Sequence, residues 1–227
     1  MTGWIERPSP NHGQRADGAP IDILLIHYTG MDSAEAALER LCDAAAEVSC
    51  HWLIDRDGMV YRLVEESRRA WHAGQSFWAG ARDINSRSIG IELVNPGHEL
   101  GYPDFPPAQM AALAELARGI LARHPVPPHR VLGHSDVAPA RKQDPGEKFD
   151  WAWLAGQGIG LWPEPASGAE SGDLTRIGYE TNDPTSVVAF QRHWRPARVD
   201  GVLDAETRSR IAQITSAIPL TAPGRTP

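Results

Sequence analysis

The sequence predicts an α/β protein: a central mixed β-sheet flanked by helices, followed by a small all-α module. Three observations carry this reading. Ile21-Asp22-Ile23-Leu24-Leu25-Ile26 is a nearly continuous apolar run, the pattern of a strand covered on both faces. Ser88 to Val94 alternates, with Ile89, Ile91 and Leu93 on one face and Gly90, Glu92 and Val94 on the other. From Pro107, apolar residues recur at helical spacing through Met110, Leu113, Leu116, Ala117, Ile120 and Leu121.

Residues 1–20 are rich in Pro, Gly, Asn and Arg and read as an irregular lead-in. The first strand ends in His27-Tyr28-Thr29-Gly30, so its histidine points out of the carboxyl end, where open α/β sheets place their sites. Ser33 or Asp32 caps a helix through Ala34–Leu41. Val48 to Ile54 and Met59 to Val64 form a hairpin about Asp55-Arg56-Asp57-Gly58. Residues 65–87 read as one long polar-aromatic loop containing Ala70-Trp71-His72-Ala73-Gly74, a length more often functional than structural. After the Pro107 helix, Val131-Leu132-Gly133 is a short strand. It leads into Gly133–Gly146, where Pro139 and Pro145-Gly146 argue against both helix and interior strand. A last short helix starts at Phe149.

The composition divides the chain into a domain over 1–162, a Pro/Gly/Ser-rich linker over 163–173, a helical unit over 174–218 and a tail over 219–227. In the helical unit, Thr185 is expected to cap one helix and Asp204 to open another. So small a unit has little core of its own and should lean on the larger domain.

The 227 residues carry a net charge of −7, which excludes a nucleic-acid partner relying on a basic surface. No apolar stretch approaches the ~20 residues that span a bilayer. The N-terminus has neither a basic nor an apolar leader region, so the cytoplasm is the expected compartment and a monomer the expected state. Cys42 and Cys50 allow at most one bridge and are expected as free, buried thiols.

His27, His134 and Asp144 offer two imidazoles and a carboxylate, a donor set that suits a single zinc ion with a position left open. Both histidines follow apolar strands, whose tips adjacent pairing would bring together. Glu92 lies inside Ile-Gly-Ile-Glu-Leu, where a buried carboxylate acquires a raised pKa suited to proton transfer. Gly90, on the same face, is expected to leave room for substrate. Lys142 can stabilise an oxyanion as an amide carbonyl is attacked.

Five blocks, in order, carry a resemblance. They are Ile26-His27-Tyr28-Thr29; Val48-Ser49-Cys50-His51-Trp52-Leu53-Ile54; Ala70-Trp71-His72-Ala73-Gly74; Ser88-Ile89-Gly90-Ile91-Glu92-Leu93; and Gly133–Gly146. With them, residues 1–162 resemble the zinc-dependent N-acetylmuramoyl-L-alanine amidases of amidase family 2, which also includes the peptidoglycan recognition proteins. The resemblance implies zinc on His27, His134 and Asp144, with Glu92 and Lys142 as the catalytic pair. Phage lysozyme-type members have a Tyr at the place of Cys50 and lack the Glu, so this chain is similar to the Glu-type branch.

The implied reaction is hydrolysis between the lactyl group of N-acetylmuramic acid and L-alanine, on anhydro-muropeptides in cell-wall recycling or on intact peptidoglycan. The alternative is a peptidoglycan-binding sensor without catalysis, which leaves Glu92 and Lys142 beside three ligands unexplained. Tyr28, His72, Trp78, Asn85 and Arg87 are expected to contact sugar and peptide. Val188-Ala189-Phe190-Gln191 and Val199–Thr207 are similar to a peptidoglycan-binding module.

Overall fold

The computed structural model describes residues 3–164 and 170–219. The middle of the expected linker and all but the first residue of the expected tail lie outside them.

Two short strands, β1 (Ile5–Glu6) and β2 (His12–Gly13), precede the apolar run, which forms β3 (Ile23–Tyr28). Then follow α1 (Ala34–Cys42), β4 (Trp52–Ile54), β5 (Val60–Arg62), β6 (Arg69–Ala70), α2 (Ile84–Arg87) and β7 (Ser88–Leu93). The chain continues through α3 (Pro107–Arg123), β8 (Val131–Gly133), α4 (His134–Val137) and α5 (Trp151–Gly156), and ends in α6 (Pro184–Trp194) and α7 (Ala205–Ala217). Six strands form one mixed sheet in the order β1-β5-β4-β7-β3-β8, and β2 pairs with β6 in a separate ladder.

In the six-stranded sheet β4, β7, β3 and β8 run parallel and β5 returns antiparallel to β4, while β2 and β6 pair antiparallel in their own ladder. Parallel strands are covered on both faces, and the two sets of side chains on β3 go to different layers. Leu24 and Ile26 join Ile89, Ile91 and Leu93 under α3 and α5. Ile23, Leu25 and Leu132 face the other way, against Val187, Phe190, Trp194, Ile211 and Ile214 of the last two helices. The C-terminal unit therefore shares the core of the larger domain, as its small size requires.

Several boundaries differ from the sequence reading. The stretch after β8 begins with one helical turn. Pro139 stands beyond that turn and removes no hydrogen bond from it, while the Asp136 carboxylate accepts the Gly133 N–H at 2.8 Å. The hairpin's first strand begins at Trp52 rather than Val48, because Ser49 N–H donates to Trp71 O at 3.0 Å and so ties a loop instead of the ladder. The 65–87 segment contains β6 and α2; Asp83 caps α2 by accepting the Ser86 N–H. Asp183, not Thr185, caps α6: it accepts the Ser186 N–H at 2.8 Å, with Pro184 opening the helix. Ser33 caps α1. Both thiols are free, Cys50 buried and Cys42 half-buried at the end of α1. Among the described residues no helix is long and apolar enough to cross a membrane.

Candidate metal centre and cleft

Strand register assembles the site. β3 and β8 pair Ile26 with Gly133, so the next residue on each chain is a histidine, His27 and His134, at the same end of the sheet. On the other side of β3, the register with β7 sets Glu92 opposite His27. Asp144 returns to this point because the Ser135 N–H holds its carbonyl at 2.9 Å. Three chain segments distant in sequence thus meet at the carboxyl ends of central strands, the usual place for a site in such a sheet.

His27 Nδ1 and His134 Nδ1 face each other at 3.0 Å, and Asp144 Oδ2 lies 3.2 Å from the first and 3.0 Å from the second. All three residues are buried, and among the described residues they form a group able to hold a metal ion. His134 Nε2 sits 3.1 Å from the Ala73 carbonyl, which can only accept, so Nε2 carries the proton and Nδ1 the lone pair. Burial pushes His27 down to about 4, helped by His134 beside it, so at neutral pH it is uncharged, the form a metal needs. Lone pairs and a carboxylate converging with few protons among them make a cradle for a cation.

Glu92 is different. Its Oε2 is buried without a hydrogen-bond partner. Burial first, and the Asp144 charge second, push it up to about 8, against a smaller pull from Lys142. It is an unengaged carboxylate beside the metal cluster, positioned to exchange a proton.

A cleft of about 380 Å³ opens over these groups, and Tyr28, His72, Glu92, His134, Lys142 and Asp144 all line it. The remaining expected contacts lie elsewhere. Trp78 is 1% exposed and packs edge-on against Tyr179, their ring centroids 4.9 Å apart, so it is core rather than a sugar platform. Asn85 is buried, and its Oδ1 accepts the backbone N–H groups of His72 and Ala73, which shapes the loop. Arg87 immediately precedes β7 and pairs with Asp22. Glu92 stands five residues further along that strand, about 16 Å away. Nor does Gly90 leave room for substrate, because the His72 ring fills that space.

Trp71, at the start of the aromatic loop, lines the cleft too, and sequence reasoning missed Arg40 and His98, which also line it. Tyr28 Oη lies 2.9 Å from His98 Nδ1, and His98 Nε2 lies 3.2 Å from Glu147. The context Asn95-Pro96-Gly97 marks a turn at His98 but gives no hint that its side chain reaches Tyr28.

His51, behind the site, accepts the Gly90 N–H on Nδ1 and donates to the Arg68 carbonyl. Burial, with Arg15 nearby, pushes it down to about 3, against an ordinary 6.5. The unfolded chain therefore binds this proton first, and stability falls as pH drops from about 6.5 to about 3, by about 1.4 kcal/mol per pH unit. Urea unfolding at several pH values should show a slope about one proton shallower in His51→Gln, whose amide can both accept and donate.

A parallel-centred α/β sheet with a His–His–Asp group able to hold a metal ion, and a carboxylate oxygen without a partner beside it, is an arrangement suited to hydrolysis. Residues 17–147 match the family described as N-acetylmuramoyl-L-alanine amidase, and the chain belongs to that family. It is 37% identical over 224 residues to the N-acetylmuramoyl-L-alanine amidase AmiD of Escherichia coli, covering 83% of this chain and 80% of the relative. The 1,6-anhydro-N-acetylmuramyl-L-alanine amidase AmpD of the same organism is 35% identical, over 66% of this chain and 91% of its own length. Two solved structures are similar throughout. The E. coli AmiD complex with anhydro-N-acetylmuramic acid-L-Ala-D-gamma-Glu-L-Lys superposes with a TM-score of 0.79 at 36% identity, covering 89% of this chain and 92% of that one. The Pseudomonas aeruginosa AmpDh3 complex with an anhydromuramic pentapeptide gives 0.80 at 31% identity, covering 95% and 98%.

Proposed function

We propose that the protein hydrolyses the amide between the lactyl group of N-acetylmuramic acid and the L-alanine of the stem peptide. Anhydro-muropeptides are its substrates in this reading, and one zinc ion is held by His27, His134 and Asp144. The observation that carries it is the unpartnered Glu92 Oε2 on the strand beside the converging ligand atoms. Two imidazoles and one carboxylate with an open side are a zinc donor set. Bound there, zinc would acidify a water and polarise the scissile carbonyl.

The chain's own groups supply the rest. Glu92 Oε2 takes a proton from the attacking water as the C–O bond forms. It then returns that proton to the amine nitrogen as the C–N bond breaks, so one carboxylate acts as base and then as acid. Lys142, on the cleft wall, places its ammonium against the oxygen that gains negative charge. Tyr28 and His72 belong to the same wall. The known complexes of the relatives support anhydro-sugar peptides as the substrate class. We assign wall binding to residues 174–218, on the motifs at 188–191 and 199–207.

Peptide release from anhydro-muropeptides and from intact sacculi, measured side by side, tests the substrate. Activity on sacculi alone would overturn it. Stripping the protein with a chelator should abolish turnover, and zinc should restore it. Undiminished activity in metal-free protein would sink the zinc assignment.

A further inference from the structure

A chain of hydrogen bonds runs away from the metal cluster into the protein. His27 Nε2 lies 3.0 Å from His72 Nδ1, and His72 Nε2 lies 3.3 Å from Ser88 Oγ. Ser88 Oγ in turn lies 2.7 Å from the Ile84 carbonyl. Chemistry fixes the direction of each link. The Ile84 carbonyl can only accept, so the single hydroxyl proton of Ser88 points to it. Ser88 Oγ therefore accepts from His72, which must carry its proton on Nε2. With its proton on Nε2, the His72 ring leaves Nδ1 to accept from His27 Nε2–H at 3.0 Å. A His27 ring that donates from Nε2 keeps its lone pair on Nδ1, aimed at His134 Nδ1 and Asp144 Oδ2.

Without this chain the other tautomer would be favoured. A proton on His27 Nδ1 would bond Asp144 Oδ2 directly and occupy the position a metal needs. The geometry points to His72 as the positioning residue that locks His27 in its metal-ready tautomer, with Ser88 and the Ile84 carbonyl as the anchor of that lock. The inference rests on the zinc reading above. It changes what His72 and Gly90 do: the wall histidine faces the ligand, and the glycine makes space for it. A Cβ on Gly90 would come within 2.6 Å of His72 Cγ, so only glycine lets the ring lie there. The His27 and His72 rings meet edge-on at 5.0 Å and 85°, the orientation that aligns one ring's N–H with the other's lone pair.

The test compares wild type, His72→Gln and His72→Leu. Glutamine offers an acceptor toward His27 and a donor toward Ser88; leucine offers neither. Two quantities are read: the tautomer of His27 in metal-free, nitrogen-15-labelled protein by long-range proton–nitrogen correlation, and zinc affinity by competition with a chromophoric chelator. The expected result is an Nε2–H tautomer in wild type and His72→Gln. In His72→Leu the proton moves to Nδ1 and affinity falls about 10- to 100-fold, the usual cost of losing the partner of a metal-bound histidine. An unchanged tautomer and affinity in His72→Leu would overturn the inference while leaving the zinc reading intact. Failure of the wild type to bind zinc would overturn both. If the leucine variant does not fold, Ser88→Ala carries the test: loss of the single tautomer supports the lock, and its persistence with full affinity refutes it.

Discussion

Glu92→Gln retains the metal and loses turnover, by a factor of about a hundred to ten thousand. The structure makes this substitution unusually clean. Oε2 has no hydrogen-bond partner to lose, and the amide matches the carboxylate in volume. Burial already works against the charged form, holding Glu92 near 8, so a neutral side chain at this place costs the fold nothing. What disappears is the capacity to take and return a proton. Muropeptide turnover, followed by separation of the freed peptide, and zinc content measured on the same sample together check the result. A variant that kept wild-type turnover would remove Glu92 from the reaction.

Asp136→Ala should lower stability by about 3–5 kcal/mol, because it strands buried donors rather than simply deleting a contact. The carboxylate is 1% exposed and accepts from the Gly133 N–H at 2.8 Å, Tyr179 Oη at 2.5 Å and His193 Nδ1 at 2.7 Å. His193 is itself stacked between Trp151 and Trp194, with centroid distances of 3.7 and 3.6 Å, and cannot turn to another partner without breaking that stack. Since Asp136 lies two residues from His134 in the same helical turn, the substitution should also weaken zinc binding. Tyr179→Phe removes one donor and leaves the carboxylate two others, so its cost should be nearer 1 kcal/mol. Denaturant unfolding of the two variants beside wild type checks the order. Equal stability of Asp136→Ala and wild type would contradict it.

The parts of this fold that could be read from the sequence are those where one local pattern decides the outcome. The Ile23–Ile26 run, the alternation around Glu92 and the Pro107 helix each carry their own periodicity, and each forms the expected element. The pairing of His27 with His134 was legible because both end apolar strands. Other features depend on contacts distant in sequence. β1, β2 and β6 are two residues long and exist through their partners alone. Trp78 and Asn85 look functional in a polar loop, yet their roles are set by Tyr179 and by the backbone at His72 and Ala73. His98 reaches Tyr28 across 70 positions, and no spacing rule announces that.

The layer formed by Ile23, Leu25 and Leu132 against Phe190 and Ile211 also bears on the fate of a broken chain. A protease that cuts between residues 164 and 170 severs a covalent link but leaves this greasy contact closed. The nicked protein should elute from a sizing column as one particle and separate only in denaturant. Expressed without its last two helices, the larger piece would bare side chains that are nearly or fully inaccessible in the intact protein, and should precipitate rather than persist as a minimal enzyme. The helices that resemble a wall-binding attachment are, for the sheet beneath them, its missing wall.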